Sequence, residues 1–345
     1  MNRQLLLLTL ALLPGADCAV ARGTNEVPPA AREAGMLTET YSVDRFDAST
    51  VDMGRTRQPG FRLYNVNFFH GDDGGPPMKG VRLNSDGSIT LGANGADASL
   101  STMAVLGKSP ARNMVGIAFG GGGYFEATIR FAHPDMHPDR PGAYQPRPAW
   151  WGMSAEHIAQ RDDLQQWPGQ PSGYTYFSEI DALEASDKSD YYVTNVFDHH
   201  GIYGKTCVPG YCDRHLPWNE VQTKVPAGTD WTKPHRFAAR WIPATATKQG
   251  SITFYLDNVK VHETLYARWP GGNSSPPPEG QPWQYGVIDA RHMAMWIDTR
   301  GGWPITVSSI RVFQTGTAGN ITTLPAYREQ ARQVSRATAG GSAAG

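Results

Sequence analysis

The stretch Tyr174-Thr175-Tyr176-Phe177-Ser178-Glu179-Ile180-Asp181-Ala182-Leu183-Glu184 decides whether this chain reads as helix or as sheet. A helical reading exists: Ser178 would be an N-cap and Asp181, three residues on, would close a capping box. The flanks oppose it. Tyr174-Thr175-Tyr176-Phe177 before the acids and Tyr191-Tyr192-Val193-Thr194-Asn195-Val196-Phe197 after them are aromatic and β-branched runs that read as strands. On a strand Glu179 and Asp181 share one face and Ile180 takes the other. Strict alternation would then turn Glu184 toward Ile180 and Ala182, where a carboxylate is costly without a partner. One extra residue at Ala182-Leu183, a β-bulge, returns Glu184 to the face of Glu179 and Asp181.

The spacing also carries chemistry. Like charges held close disfavour ionisation, so neighbouring carboxylates raise one another's pKa. Two of them can divide into an acid and a base or nucleophile, the pairing that glycosidic-bond cleavage needs.

Outward from the acids, short strand signals recur between turns. Val81-Leu83, Ser88-Leu91, Tyr124-Phe131, Phe237-Trp241, Ser251-Leu256, Met293-Ile297 and Ser309-Phe313 all read as strands, with tight turns at Asp86-Gly87 and Asp257-Asn258. Only residues 154–166 look helical, with Ser154 as a cap, and no βαβ alternation is present. The pattern predicts an all-β chain folded as one large sandwich of two sheets. No internal repeat is seen.

The N-terminus reads as a secretory signal peptide over residues 1–21. It has Arg3, a leucine-rich run over 4–13 and the small-residue site Ala19-Val20-Ala21. The run is too short to span a membrane. A secreted or periplasmic location follows. Cys18 raises a lipid-attachment alternative, which Asp17 disfavours. Residues 22–40 read as a loose linker, 41–317 as the one main domain and 318–345 as a flexible tail. If Cys18 leaves with the leader, Cys207 and Cys212 remain to close a local disulfide across Val-Pro-Gly-Tyr. A metal site built with His199, His200 and His215 is the rival, and the disulfide is preferred.

Composition narrows the partners. With 38 Gly and 26 Pro the chain is rich in turns, and 10 Trp and 14 Tyr supply rings that stack on sugars or fill a core. A net charge of −1 gives no bulk electrostatic case for nucleic acid or a polyanionic substrate. The run Gly120-Gly121-Gly122-Gly123 lacks the spaced glycines, lysine and following helix of a phosphate loop, and reads as a strand lead-in.

Several segments together resemble glycoside hydrolase family 16, the laminarinase, lichenase, agarase and carrageenase group. Gly123-Tyr124-Phe125-Glu126-Ala127-Thr128-Ile129-Arg130 is similar to its G-x-F-E-A-x-I-x strand, and Pro148-Ala149-Trp150-Trp151 to its P-A-x-W segment. Glu179 to Glu184 matches the bulged signature E-x-D-x-x-E. His235 to Trp241, followed by Ile252 to Asp257, resembles a late hairpin. The segments occur in the family's order over roughly residues 60–315. Departures are Ser178 where Gly or Asn is common, Tyr and Phe where a Trp precedes the acids, and Asn258 in place of a turn Gly.

The resemblance implies a concanavalin A-like jelly roll with sugar along a concave sheet, and an endo-acting, retaining hydrolase. Its partner would be a β-linked polysaccharide, a β-glucan or a β-galactan. Glu179 would be the nucleophile, Glu184 the general acid and then base, and Asp181 the residue that modulates Glu179. Retention asks for the two reacting carboxyl groups at about 5–5.5 Å. Further cleft candidates are Trp150, Trp151, Asn195, His199, His200, Trp167, Trp303 and Asn67. Trp150 and Trp151 are adjacent, so one of them belongs to the core. No cofactor is required, structural calcium is left open, and a monomer is expected. A sugar-binding sandwich without activity and a transglycosylase using the same acids are the alternatives.

Overall fold

The computed structural model describes residues 26–66, 76–107, 112–133, 148–159, 174–185, 191–202, 221–268, 285–299, 303–317 and 319–324. In chain order its strands are β1 (Thr38–Val43), β2 (Val51–Asp52), β3 (Leu63–Asn65), β4 (Arg82–Leu83), β5 (Ile89–Leu91), β6 (Ala98–Ser101), β7 (Met103–Leu106), β8 (Asn113–Gly116), β9 (Gly123–Phe131) and β10 (Ala149–Ser154). They continue with β11 (Tyr174–Ala185), β12 (Tyr191–Ile202), β13 (Val221–Lys224), β14 (His235–Ile242), β15 (Gly250–Leu256), β16 (Val259–Arg268), β17 (Tyr285–Gly286), β18 (Met293–Thr299) and β19 (Ile305–Gln314). Two short helices, α1 (Pro29–Glu33) and α2 (Ala155–Ile158), complete the described elements with two 3-10 turns.

The strands form a jelly-roll sandwich of two sheets. The sheet that carries the acids runs β13-β12-β11-β10-β18-β6-β3-β2. Its partner runs β17-β16-β15-β14-β9-β19-β5-β4, with β1 also paired to β19. Pairing is antiparallel except for the two-residue contacts β2/β3 and β16/β17. Every strand signal read from the sequence falls on a strand, and both expected turns are present. Asp257 and Asn258 have φ of 50° and 68°, the paired left-handed geometry of a two-residue hairpin, and join β15 to β16.

The core follows from period-2 alternation. Phe125, Ala127, Ile129 and Phe131 on β9 and Phe237, Ala239 and Trp241 on β14 face Ile180, Leu183, Trp150, Met295 and Ile297 of the acid-bearing sheet. Trp150, Trp241, Tyr192 and Phe254 are among the largest side chains wholly removed from water. Most of the described rings are therefore core.

Two segments are more ordered than the sequence suggests. Part of the stretch read as a linker forms α1 and β1. Ala30, Ala31 and Met36 cover Tyr124, Tyr255 and Phe313 on the outer face of the second sheet, and Arg240 Nη1 reaches the Ala30 carbonyl at 3.0 Å. That face carries apolar rings and needs a lid, which this segment supplies. At the other end, Ile321 bridges to Ala118 and Leu324 is buried, so the start of the stretch read as a tail is packed. Among the residues read as helical, the described helix is the four-residue α2. The glycine run leads into β9: Gly122 has φ of 89°, and a Cβ there would meet the Trp241 carbonyl at 2.7 Å.

Candidate active site

The bulge exists where the acid spacing places it. On β10, Met153 pairs with Glu179, Trp151 with Asp181, Trp150 with Leu183 and Ala149 with Glu184, so Ala182 has no partner. On the other side Asn195 pairs with Asp181 and Val193 with Glu184, leaving Ala182 and Leu183 opposite Thr194. Two residues facing one is the definition of a bulge, and the extra residue resets the alternation. Ile180, Ala182 and Leu183 all enter the inter-sheet core. Glu179, Asp181 and Glu184 share the opposite face with their cross-strand neighbours Met153, Trp151 and Ala149.

Burial grades the three acids. Asp181, at 1% exposure, is sealed, whereas Glu179 and Glu184 on either side are half-buried. Burial pushes the Asp181 carboxyl well above the usual carboxylate range, and the charges of Glu179 and Glu184 push it the same way. A hydrogen bond with Glu179 and the charge of Asp298 add to the rise. Asp181 Oδ2 has no hydrogen-bond partner among the described residues, which also favours the neutral form. The central acid is thus biased toward its neutral form, between two more accessible acids.

Asp298 is the residue that sequence reasoning missed. It lies on β18 opposite Ala149, which in turn lies opposite Glu184, so it belongs to the acid face. It is 1% exposed and accepts the Trp151 indole N–H at 2.8 Å. The signal was available: β18 reads Met293-Ala294-Met295-Trp296-Ile297-Asp298. A charged residue that continues an apolar alternation must find partners on its own face.

The other candidates separate by face. Trp150 is in the inter-sheet core and wholly buried, which corrects its assignment to the cleft: alternation gives the acid face to Trp151. Trp151 is on that face but only 3% exposed. It packs against Trp296 at 5.5 Å in a cluster with Met103 and Met114 of the β7–β8 hairpin, so it presents no open ring for stacking. Asn195 is buried at the register position opposite Asp181. Trp303 packs against the inter-sheet core and pairs with the His133 ring at 5.9 Å. His199 and His200 occupy register positions opposite Phe177 and Tyr176, and their side chains lie outside the described residues. Asn67, Trp167, Cys207 and Cys212 also lie outside them. Among the described residues no set of three or more His, Cys, Asp or Glu is arranged to hold a metal ion. No described helix is long and apolar enough to cross a membrane.

No family model matches the chain, and no curated protein sequence does. Several solved structures are similar in fold. The endo-1,3-β-glucanase of Streptomyces sioyaensis shares 15% identity over 80% of this chain and 95% of its own, with a TM-score of 0.40. An inactivated β-agarase B solved with agaro-octaose shares 15% identity over 69% and 80%, with a TM-score of 0.31. A legume lectin-like domain from Entamoeba histolytica shares 12% identity over 69% and 89%, with a TM-score of 0.35. At such identities and TM-scores no activity, ligand or residue role is carried across to this chain.

Proposed function

We propose that this chain is a retaining, endo-acting glycoside hydrolase that cleaves a β-linked polysaccharide, a β-glucan or a β-galactan, outside the cell. One observation carries the reading: the bulge at Ala182-Leu183 returns Glu184 to the face of Glu179 and Asp181. A sandwich that only binds sugar has no use for three acids gathered on one face at the expense of a broken ladder.

In the first step the Glu179 carboxylate attacks the anomeric carbon while Glu184 gives its proton to the glycosidic oxygen. The carbon–oxygen bond breaks, the aglycone leaves as an alcohol, and the sugar stays esterified to Glu179. In the second step Glu184, now ionised, takes a proton from water. The water oxygen bonds to the anomeric carbon and Glu179 departs as carboxylate. Neutral Asp181 gives its hydrogen bond to Glu179, which spreads the charge of the nucleophile and of the departing carboxylate.

Incubating the mature protein with a panel of β-glucans and β-galactans, with reducing ends counted and the first product followed by proton NMR, tests this. The expected result is internal cleavage of one polymer with the β-anomer formed first. An α-anomer formed first, or no cleavage of any polymer by folded protein, would overturn it.

A further inference from the structure

We propose that the β7–β8 hairpin is a fixed wall beside the acids, and that it selects a linear β-linked chain over one with regular branches. The substrate part of this inference rests on the hydrolase reading above. The wall itself does not.

The acid-bearing face is covered unevenly. Glu179 and Glu184 on β11 are half-buried. On β10, the next strand, Met153, Trp151 and Ala149 are at 1%, 3% and 6% exposure. Further across the same face, Trp296 on β18 and Tyr64 on β3 are also sealed. These side chains form one apolar cluster with Met103, Val105 and Met114 of the hairpin and Ile158 of α2. Neighbouring strands lie about 4.8 Å apart, and packed layers about 10 Å. The hairpin therefore stands as a third layer that begins within about one strand spacing of the glutamates.

The wall is pinned at its root and toward its tip. At the root, Thr102 donates its amide to the Met295 carbonyl at 3.0 Å and its hydroxyl to the Ile117 carbonyl at 2.9 Å. The Met295 amide donates to the Thr102 hydroxyl at 3.1 Å. Toward the tip, Asn113 Oδ1 accepts the Leu324 amide at 2.7 Å, and Arg112 Nη1 donates to the Ala159 carbonyl at 3.2 Å. Just past β8, Ala118 and Ile321 exchange two backbone hydrogen bonds, at 3.0 and 2.9 Å. Strand β18, helix α2 and the C-terminal segment thus hold one hairpin in place.

A fixed wall this close acts by exclusion. A sugar held between Glu179 and Glu184 turns one edge toward β10. A branch on that edge is a second ring, and the space it needs is filled by hairpin and β10 side chains. Successive units of a β-linked chain turn about its axis, so a regularly branched chain brings branches to the wall. Steric conflict of this kind discriminates through kcat/KM without adding any contact to the favoured substrate.

The probes are β-1,3-glucan and β-1,3-galactan, each as a linear chain and with single-sugar branches. On whichever backbone is cleaved, kcat/KM should be about tenfold or more lower for the branched form. Asn113→Ala combined with Leu324→Ala frees the hairpin from the C-terminal segment and should narrow that difference. Equal kcat/KM on the two forms overturns the proposal, and so does a difference that the unpinned hairpin leaves unchanged. If the double variant does not fold, Met114→Ala cuts back the wall without touching its pins and should narrow the difference in the same sense; no change there equally overturns it. If no polymer is cleaved, the hydrolase reading falls by itself. Oligosaccharides of the same four polymers are then titrated by calorimetry. Binding about tenfold weaker for the branched forms supports the wall. Equal affinities, or binding of none, overturn it.

Discussion

Glu184 stands opposite Ala149 on β10, on the same face as Asp181 three positions earlier, and the unpaired Ala182 makes this possible. A bulge costs ladder hydrogen bonds and bends the strand. Here it keeps three acids together while Leu183 still fills the core opposite Trp150.

The register yields a test of that role. Deleting Ala182 alone should leave Asp181 opposite Trp151, Leu183 opposite Trp150 and Glu184 opposite Ala149. That variant is expected to fold, within about 2 kcal/mol of wild type, because it loses one small buried side chain. Deleting Ala182 and Leu183 together turns Glu184 into the core. It is expected to cost about 4 kcal/mol or more, since a buried carboxylate finds no partner there. Urea unfolding separates the two outcomes; equal losses would mean that the bulge does not set the face of Glu184.

How far the site could be read from sequence depends on the residue. The bulge was legible because an acid at strict alternation would enter an apolar face. The choice between Trp150 and Trp151 was not legible, because it depends on which face the strand presents to the second sheet. Asp298 escaped notice because it is more than a hundred residues from the acid motif. Its partner Trp151 is set by the pairing of β10 with both β11 and β18, which no local pattern reveals. The segment before β1 was read as a linker because its composition is Ala- and Pro-rich. The rings of Tyr124, Tyr255 and Phe313 that it covers are distant in sequence.

A half-buried carboxylate elsewhere gives a stability prediction free of the acid site. Asp289 accepts the Trp241 indole N–H at 2.9 Å, the Tyr266 hydroxyl at 2.5 Å and the Ala244 amide at 2.8 Å. Asp289→Ala leaves three inward-facing donors without this acceptor and is expected to lose about 3 kcal/mol in chemical denaturation. Asp289→Asn keeps an acceptor oxygen and should lose less. A neutral Asp289→Ala would show that water replaces the carboxylate without penalty.

The His235–Asp257 pair predicts a pH dependence. His235 Nδ1 meets Asp257 at 2.7 Å, and this hydrogen bond raises the His235 pKa above its ordinary value against partial desolvation. A histidine whose pKa is raised on folding contributes stability that is complete below its unfolded value, about 6.5, and lost as pH rises through the folded value. Wild type should therefore lose stability relative to His235→Gln as pH climbs above about 6.5. Parallel unfolding midpoints for the two proteins across that range would contradict the pairing.

The most direct test of the central claim is reducing-end release from the polymer that wild type cleaves, measured for Glu179→Gln and Glu184→Gln side by side. Each variant should keep the wild-type circular dichroism and thermal transition and lose activity by about 10²- to 10⁴-fold. A folded variant of either residue that retains near wild-type cleavage would contradict the account.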